Sequence, residues 1–318
     1  MRTRGLGSDG LRISVVGYGG WEAGGGYYGE NPPDADMIQA MQAGFEAGIN
    51  WVDTAEAYGG GRSEELIGEA IAGYDDVLVA TKVVMKPFGS GIDAAGVQAG
   101  AEGSRRRLHR DVLDLYQLHL PDPSVPVEES WNAMAHLVED GIVRHIGVSN
   151  FPLELVEQCE RIRHVDTVQL HFSLLYRDDY RELQPFCDEK GIAILAYGPL
   201  GFGALTGTMT PDTKFADDDW RSGRVPVPVP LYQQIFAPGT FERHLAEVEA
   251  LRPISERYGI TLAQLALAWV VEQPGVAAAI AGSRSADRMR ENAAAGSIEL
   301  TPAQVDEVET ALAGVASA

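Results

Sequence analysis

Short, continuously apolar runs alternate with longer stretches in which apolar residues return every three or four positions, almost from one end of the chain to the other. The runs predict strands at Ser14–Gly17, Trp51–Asp53, Val77–Thr81 and Leu113–His119, then at Ile142–Val148, Thr167–His171, Ile192–Ala196 and Ala277–Ala281. The periodic stretches predict helices at Asp34–Ala47, Ser63–Ala72, Asp93–His109, Val127–Glu139, Leu153–Ile162 and Asp179–Lys190. Two more, Glu242–Tyr258 and Thr261–Glu272, precede the eighth strand, and Ser285–Ala294 and Pro302–Ala313 follow it. A run such as Ile192–Ala196, apolar throughout, fits a strand covered on both faces of a parallel sheet. Eight strand-then-helix units predict an α/β fold, a single (β/α)8 TIM barrel domain over residues 1–318. A turn signal at Ser8-Asp9-Gly10 predicts an N-terminal β-hairpin before the first barrel strand. One segment breaks the rhythm. Between the seventh strand and the next helix, Gly201–Thr240 carries Pro211, Pro226, Pro228, Pro230 and Pro238. Its prolines oppose regular structure, so it is expected to be a long loop over the C-terminal mouth of the barrel.

Composition narrows the partners. The 318 residues are 45% hydrophobic and 22% charged, an ordinary globular balance able to bury a large core. The net charge of −21 repels phosphate backbones and anionic lipid, so nucleic acid and membrane surfaces are poor partners. Cys159 and Cys187 form neither a CxxC pair nor a Cys/His cluster, which argues against a disulfide framework and a thiolate zinc site. The opening Met1-Arg2-Thr3-Arg4-Gly5 lacks an apolar leader pattern, and no apolar stretch is long enough for a membrane span. A soluble cytoplasmic protein is expected; its oligomeric state is not legible.

Gly24-Gly25-Gly26-Tyr27-Tyr28-Gly29 matches GxGxxG, with Asp53 downstream. A dinucleotide fingerprint needs strand, tight turn and helix start in immediate succession. Here Asn31-Pro32-Pro33 delays the helix, so the motif reads as a glycine-rich barrel loop.

Chemistry gathers at the strand ends. They carry Asp53 and Tyr58, Lys82, His119, Ser149-Asn150, Gln169, Tyr197 and Gly282-Ser283-Arg284. Singly, a strand-end Asp is usually a helix cap, a His a satisfied structural residue and a Lys a solvated charge. In a (β/α)8 barrel they all converge on one mouth, where such enzymes place their active sites. A free tyrosine is a weak acid, with a pKa of about 10. A neighbouring ammonium, held by a carboxylate, is expected to lower that value. Tyr58 could then give a proton to a carbonyl oxygen, with His119 orienting the carbonyl or relaying the proton. Hydride must come from a cofactor, because no side chain supplies one.

The segments DTAEAYGGGRSEELIG, ATK, DLYQLHLPDP, GVSNF, VQL, AYGPLG and AGSRSADRMREN together resemble, in order and spacing, the aldo-keto reductase superfamily over essentially the whole chain. The later loop, with LGFGALTG and TKFADDDWRS, is most similar to its bacterial and channel-β-subunit-like branches. The resemblance implies a catalytic tetrad of Asp53, Tyr58, Lys82 and His119. It implies that Ser149, Asn150 and Gln169 bind the nicotinamide carboxamide and that Tyr197 stacks on its ring. Gly198, Pro199, Leu200 and Gly201 begin the stretch that wraps the pyrophosphate, and Gly282, Ser283, Arg284, Arg288 and Asn292 match the adenosine-phosphate motif. Arg284 and Arg288, one helical turn apart, could grip a 2′-phosphate, which favours NADPH over NADH. Trp21 is expected to line the substrate pocket, with Met85, Phe88, Phe151 and Trp220 as further candidates.

The leading expectation is therefore an NADPH-dependent oxidoreductase reducing a small aldehyde or ketone. An NAD(P)-dependent sugar or polyol dehydrogenase and a cofactor-binding regulatory subunit of the channel-β type are alternatives. A metal-dependent hydrolase using Asp53, Glu56 and His119 is a further one, though no HxH or other paired-ligand motif supports it.

Overall fold

The computed structural model describes residues 1–6, 10–84, 92–122, 124–227 and 231–316. An antiparallel hairpin, β1 (Thr3–Gly5) and β2 (Arg12–Ser14), comes first. Ser8 and Asp9 of its expected turn lie outside the described residues. Eight strands follow: β3 (Val16–Gly19), β4 (Trp51–Asp53), β5 (Leu78–Val83), β6 (Leu113–Leu118), β7 (Val143–Ser149), β8 (Thr167–His171), β9 (Ala193–Tyr197) and β10 (Val276–Ile280). Each pairs in parallel with its neighbours in chain order, and β10 pairs with both β9 and β3, so the sheet closes into a barrel with helices around it. This is the (β/α)8 fold. Helices Val127–Glu139 and Leu153–Ile162 have the expected bounds, and Asp93 caps Ala94–Leu108 by accepting the Gly96 N–H at 2.7 Å.

Closure divides the core in two. Outward-facing strand residues such as Val52, Val79 and Ile146 pack with helix residues such as Ile67 and Met134 in the larger core. The barrel interior holds Trp51, Ala80, Leu115, Leu195 and Ala278, and the hairpin's Leu6 and Ile13 join that cluster from below. The hairpin thus plugs one end of the barrel and leaves the other for chemistry. Trp51 fixes the plug: its Nε1 donates to the Ser14 carbonyl at 2.9 Å. It also explains Gly17, where a Cβ would overlap the Trp51 indole. Arg2 ties the hairpin to the chain's far end, its N–H donating to the Gly296 carbonyl at 2.9 Å and its guanidinium meeting Glu272 at 2.6 Å.

Two expectations change. Ser14 belongs to the hairpin, and the first barrel strand starts at Val16, because the apolar run continues across a change of sheet. Gly201–Thr240 is not structureless. It contains 3₁₀ turns at Gly201–Thr206 and Trp220–Ser222 and a short helix at Leu231–Ile235. Aromatic packing organises it: Phe236 lies 5.2 Å from Phe215, 5.5 Å from Trp220 and 5.6 Å from Phe241. Proline spacing hides that cluster from any periodicity. Among the described residues, no helix is long and apolar enough to cross a membrane.

Candidate active site

The ends of β4 to β10 bring their polar residues to one mouth. Lys82 is fully buried; its Nζ donates to Asp53 Oδ2 at 2.6 Å and to the Thr54 carbonyl at 2.9 Å. Gln169 Nε2 donates to Asp53 Oδ1 at 2.8 Å, so both carboxylate oxygens are held. Burial pushes the Lys82 ammonium below its ordinary value against the pull of Asp53. A buried ion pair is weak evidence for stability, because desolvation offsets most of the attraction. One at the floor of a cleft is better read as built for chemistry.

Tyr58 begins the one-turn helix Tyr58–Gly61 after β4. Its ring centroid lies 5.3 Å from Lys82 Nζ and 5.5 Å, edge-on, from the His119 ring. Here the structure corrects the sequence. Burial first, then the Asp53 and Tyr27 charges, raise the Tyr58 phenol well above its ordinary value instead of lowering it. The Lys82 ammonium is paired with Asp53 at 2.6 Å, and burial of the neutral phenol decides the direction of the shift. His119 is pushed down to about 3 by burial and by Lys82, so its imidazole is neutral at physiological pH. Its Nδ1 is buried and has no hydrogen-bond partner among the described residues.

Beside these groups, Asn150 sits at φ +60, a left-handed conformation that Asn tolerates. It donates to the His119 carbonyl at 3.1 Å and to Ser149 Oγ at 3.0 Å, and accepts the Tyr197 hydroxyl at 2.7 Å. Behind Tyr197 lies a residue to which the sequence reading gave no role. His171 stacks between Tyr197 at 5.4 Å and Tyr176 at 4.7 Å, with interplanar angles of 11° and 14°. It is 1% exposed, and burial holds its imidazole down to about 3. Alternation along β8 could have found it, since His171 and Gln169 are two apart and share a face.

The residues open on a cleft of about 880 Å³, within the range of small-molecule sites. Its walls include Asp53, Tyr58, His119, Ser149, Asn150, Gln169 and Tyr197, the stretch Gly198–Leu200, and Gly282, Ser283, Arg284, Arg288 and Asn292. Gly201 lies buried just behind that stretch, and Lys82 is held beneath Asp53. Trp21 lines the cleft with Tyr27, Tyr28, Phe202 and Tyr232. Trp220 does not: it is fully buried behind Trp21, 5.8 Å away. Phe151 packs into the main core. Met85 and Phe88 lie outside the described residues. At the far end, Arg284 Nη1 donates to the carbonyls of Tyr28 at 3.2 Å and Glu30 at 2.9 Å. Glu22 also lines the cleft, its carboxyl raised by burial and drawn back by Arg284, Arg221 and Arg288. Among the described residues, no group of three or more His, Cys, Asp or Glu could hold a metal ion.

The model of the Aldo/keto reductase family matches residues 15–313. The chain is 34% identical over 287 residues to the aldo-keto reductase YhdN of Bacillus subtilis, covering 88% of this chain and 84% of that one. A glycerol dehydrogenase from Gluconobacter oxydans has a similar structure, with a TM-score of 0.85, 30% identity and coverage of 98% and 95% of the two chains. So has an aldo/keto reductase from Klebsiella pneumoniae in complex with NADP and acetate, with a TM-score of 0.72, 29% identity and coverage of 95% and 92%.

Proposed function

Because the chain belongs to the aldo/keto reductase family of oxidoreductases, we propose that it reduces aldehydes or ketones to alcohols with NADPH, using Asp53, Tyr58, Lys82 and His119. The observation that carries this reading is the Asp53–Lys82 pair beneath the Tyr58 ring, with the neutral His119 beside it on the cleft.

The residues suit a nicotinamide cofactor. Ser149, Asn150 and Gln169 supply amide and hydroxyl groups near Tyr197, and the glycines from Gly198 give a backbone that anionic groups can approach closely. When bound, the cofactor supplies hydride to the carbonyl carbon. Everything else falls to the chain. Tyr58, held protonated by burial, gives its proton to the carbonyl oxygen as the alcohol forms. The phenolate left behind is met by the Lys82 ammonium, which Asp53 and the Thr54 carbonyl keep in place. His119 carries no proton to spare, so it orients the carbonyl by a hydrogen bond. Trp21, Tyr27, Tyr28 and Tyr232 form an aromatic substrate wall that limits water. Arg284 and Arg288 hold the 2′-phosphate that distinguishes NADPH from NADH.

A second reading, oxidation of a polyol or sugar by the same residues in reverse, is favoured by the similarity to the glycerol dehydrogenase. One experiment separates these from a cofactor-binding subunit without turnover. Nicotinamide absorbance is followed with panels of carbonyls and alcohols, using NADP(H) and NAD(H), alongside Tyr58→Phe. Carbonyl-dependent NADPH oxidation that vanishes in Tyr58→Phe supports the proposal; cofactor binding without turnover on either panel rejects it.

A further inference from the structure

The glycine-rich segment Gly24–Gly29 supplies Tyr27 and Tyr28 to the substrate wall and also reaches the adenosine end of the cleft. We propose that this first loop couples the adenosine end to the substrate wall: a 2′-phosphate group held by Arg284 fixes the loop and, through it, Trp21 and Tyr28. The inference rests on Arg284 and Arg288 being phosphate ligands.

The loop has two anchors. At one, it packs against the segment that carries Tyr58. Gly59, at φ +63, lies so close that a Cβ there would overlap the Gly24 carbonyl oxygen. At the other, Arg284 holds the carbonyls of Tyr28 and Glu30. Both of those bonds use Nη1. A guanidinium carries five N–H donors in a planar fork, so Nη2 and Nε remain for an anion in the cleft that Arg284 lines. Arg284 can therefore hold loop and anion together, and an anion that fixes the guanidinium also fixes the carbonyls it grips.

Between the anchors the backbone is soft. Gly25, Gly26 and Gly29 stand at φ +74, +80 and +73, and glycine loses more conformational freedom on being fixed than any other residue. The loop's rings are the wall itself, with Trp21 5.4 Å from Tyr27 and 5.3 Å from Tyr28. The loop also holds the long segment after β9, through the Trp220 N–H to the Tyr27 carbonyl at 2.8 Å and the antiparallel bridge of Tyr28 with Asp219. Coupling of this kind is reciprocal, so an occupied substrate wall tightens the hold on the phosphate.

Amide hydrogen exchange on the full chain, read by mass spectrometry, tests the coupling without turnover. The probes are adenosine 2′,5′-bisphosphate and 5′-AMP, each at saturation established by calorimetry. The bisphosphate should slow exchange at residues 25–30 by about fivefold or more, and 5′-AMP should leave it near the free rate. Arg284→Ala should exchange faster there even without ligand, and bisphosphate bound through Arg288 should no longer slow it. Arg288→Ala should need more ligand but reach the same protection. Binding to the wild type without slowing at 25–30, or equal slowing in Arg284→Ala, overturns the coupling alone. A wild-type protein that does not bind the bisphosphate overturns the phosphate reading, and the coupling with it.

Discussion

Lys82→Met removes the cation that lies 2.6 Å from the Asp53 carboxylate and 5.3 Å from the centre of the Tyr58 ring. Methionine keeps most of the volume of the lysine stem, so the perturbation is electrical rather than steric. Asp53 retains the Gln169 amide at 2.8 Å, but its other oxygen is left uncompensated in a site where the residue is 3% exposed. Breaking a buried pair from one side costs about 3–5 kcal/mol. At roughly 2 °C per kcal/mol for a large domain, the unfolding midpoint falls by roughly 6–10 °C. The variant also loses the charge that meets the phenolate, so turnover falls by about 10²-fold or more. Calorimetric unfolding reads the first effect, and steady-state turnover well below the midpoint reads the second. Adding Asp53→Asn takes away the stranded charge, so the double variant should regain most of the stability and none of the turnover. An unchanged midpoint in Lys82→Met, or turnover that returns with stability in the double variant, would refute the electrostatic account.

Tyr58→Phe is expected to lower turnover by about 10²-fold to 10⁴-fold while cofactor affinity, read by fluorescence quenching, stays within about twofold. Arg288→Ala should weaken NADPH by about tenfold or more and NADH hardly at all, since a charge-assisted contact contributes about 1.5–3 kcal/mol; equal losses in calorimetry would remove the 2′-phosphate assignment. His171 stays neutral down to about 3, whereas an unfolded chain takes up that proton near 6.5. Its burial therefore costs nothing above about pH 6.5, and stability is lost as pH falls from there towards 3, by at most about 1.4 kcal/mol per pH unit. His171→Phe keeps the ring stack and should flatten that slope between about pH 6 and about pH 4, as read by urea unfolding.

The barrel, and the meeting of Asp53, Tyr58, Lys82 and His119 at one mouth, were legible because strand ends recur and each carries a residue whose chemistry makes sense only beside the others. Val127–Glu139 and Leu153–Ile162 matched to the residue because each starts just after a proline and keeps its period to the end. What escaped was what periodicity does not encode. Ser14 and Val16 lie two apart on different sheets, and nothing in the apolar run marks the switch. Trp220 and Tyr232 come together through a proline-broken segment, so the first was placed on the cleft and the second was not noticed, whereas the structure has them the other way round. The direction of the Tyr58 shift needed the depth at which its phenol is buried, with the Asp53 charge close by, and residue spacing reports neither.

Barrel closure has a consequence for the chain as it is made. β3 and β10 meet through Val16–Gly17 and Ala279–Ile280, so roughly 260 residues must be added after one partner emerges before the other exists. At about 5–20 residues per second, β3 waits for roughly 15–50 s with one edge unpaired. An open edge is a template for pairing with another nascent chain. The strand exposed for longest is a poor one for that purpose, four residues long and half glycine. Gly17, which makes room for the Trp51 indole in the finished barrel, also blunts the edge that the ribosome leaves open.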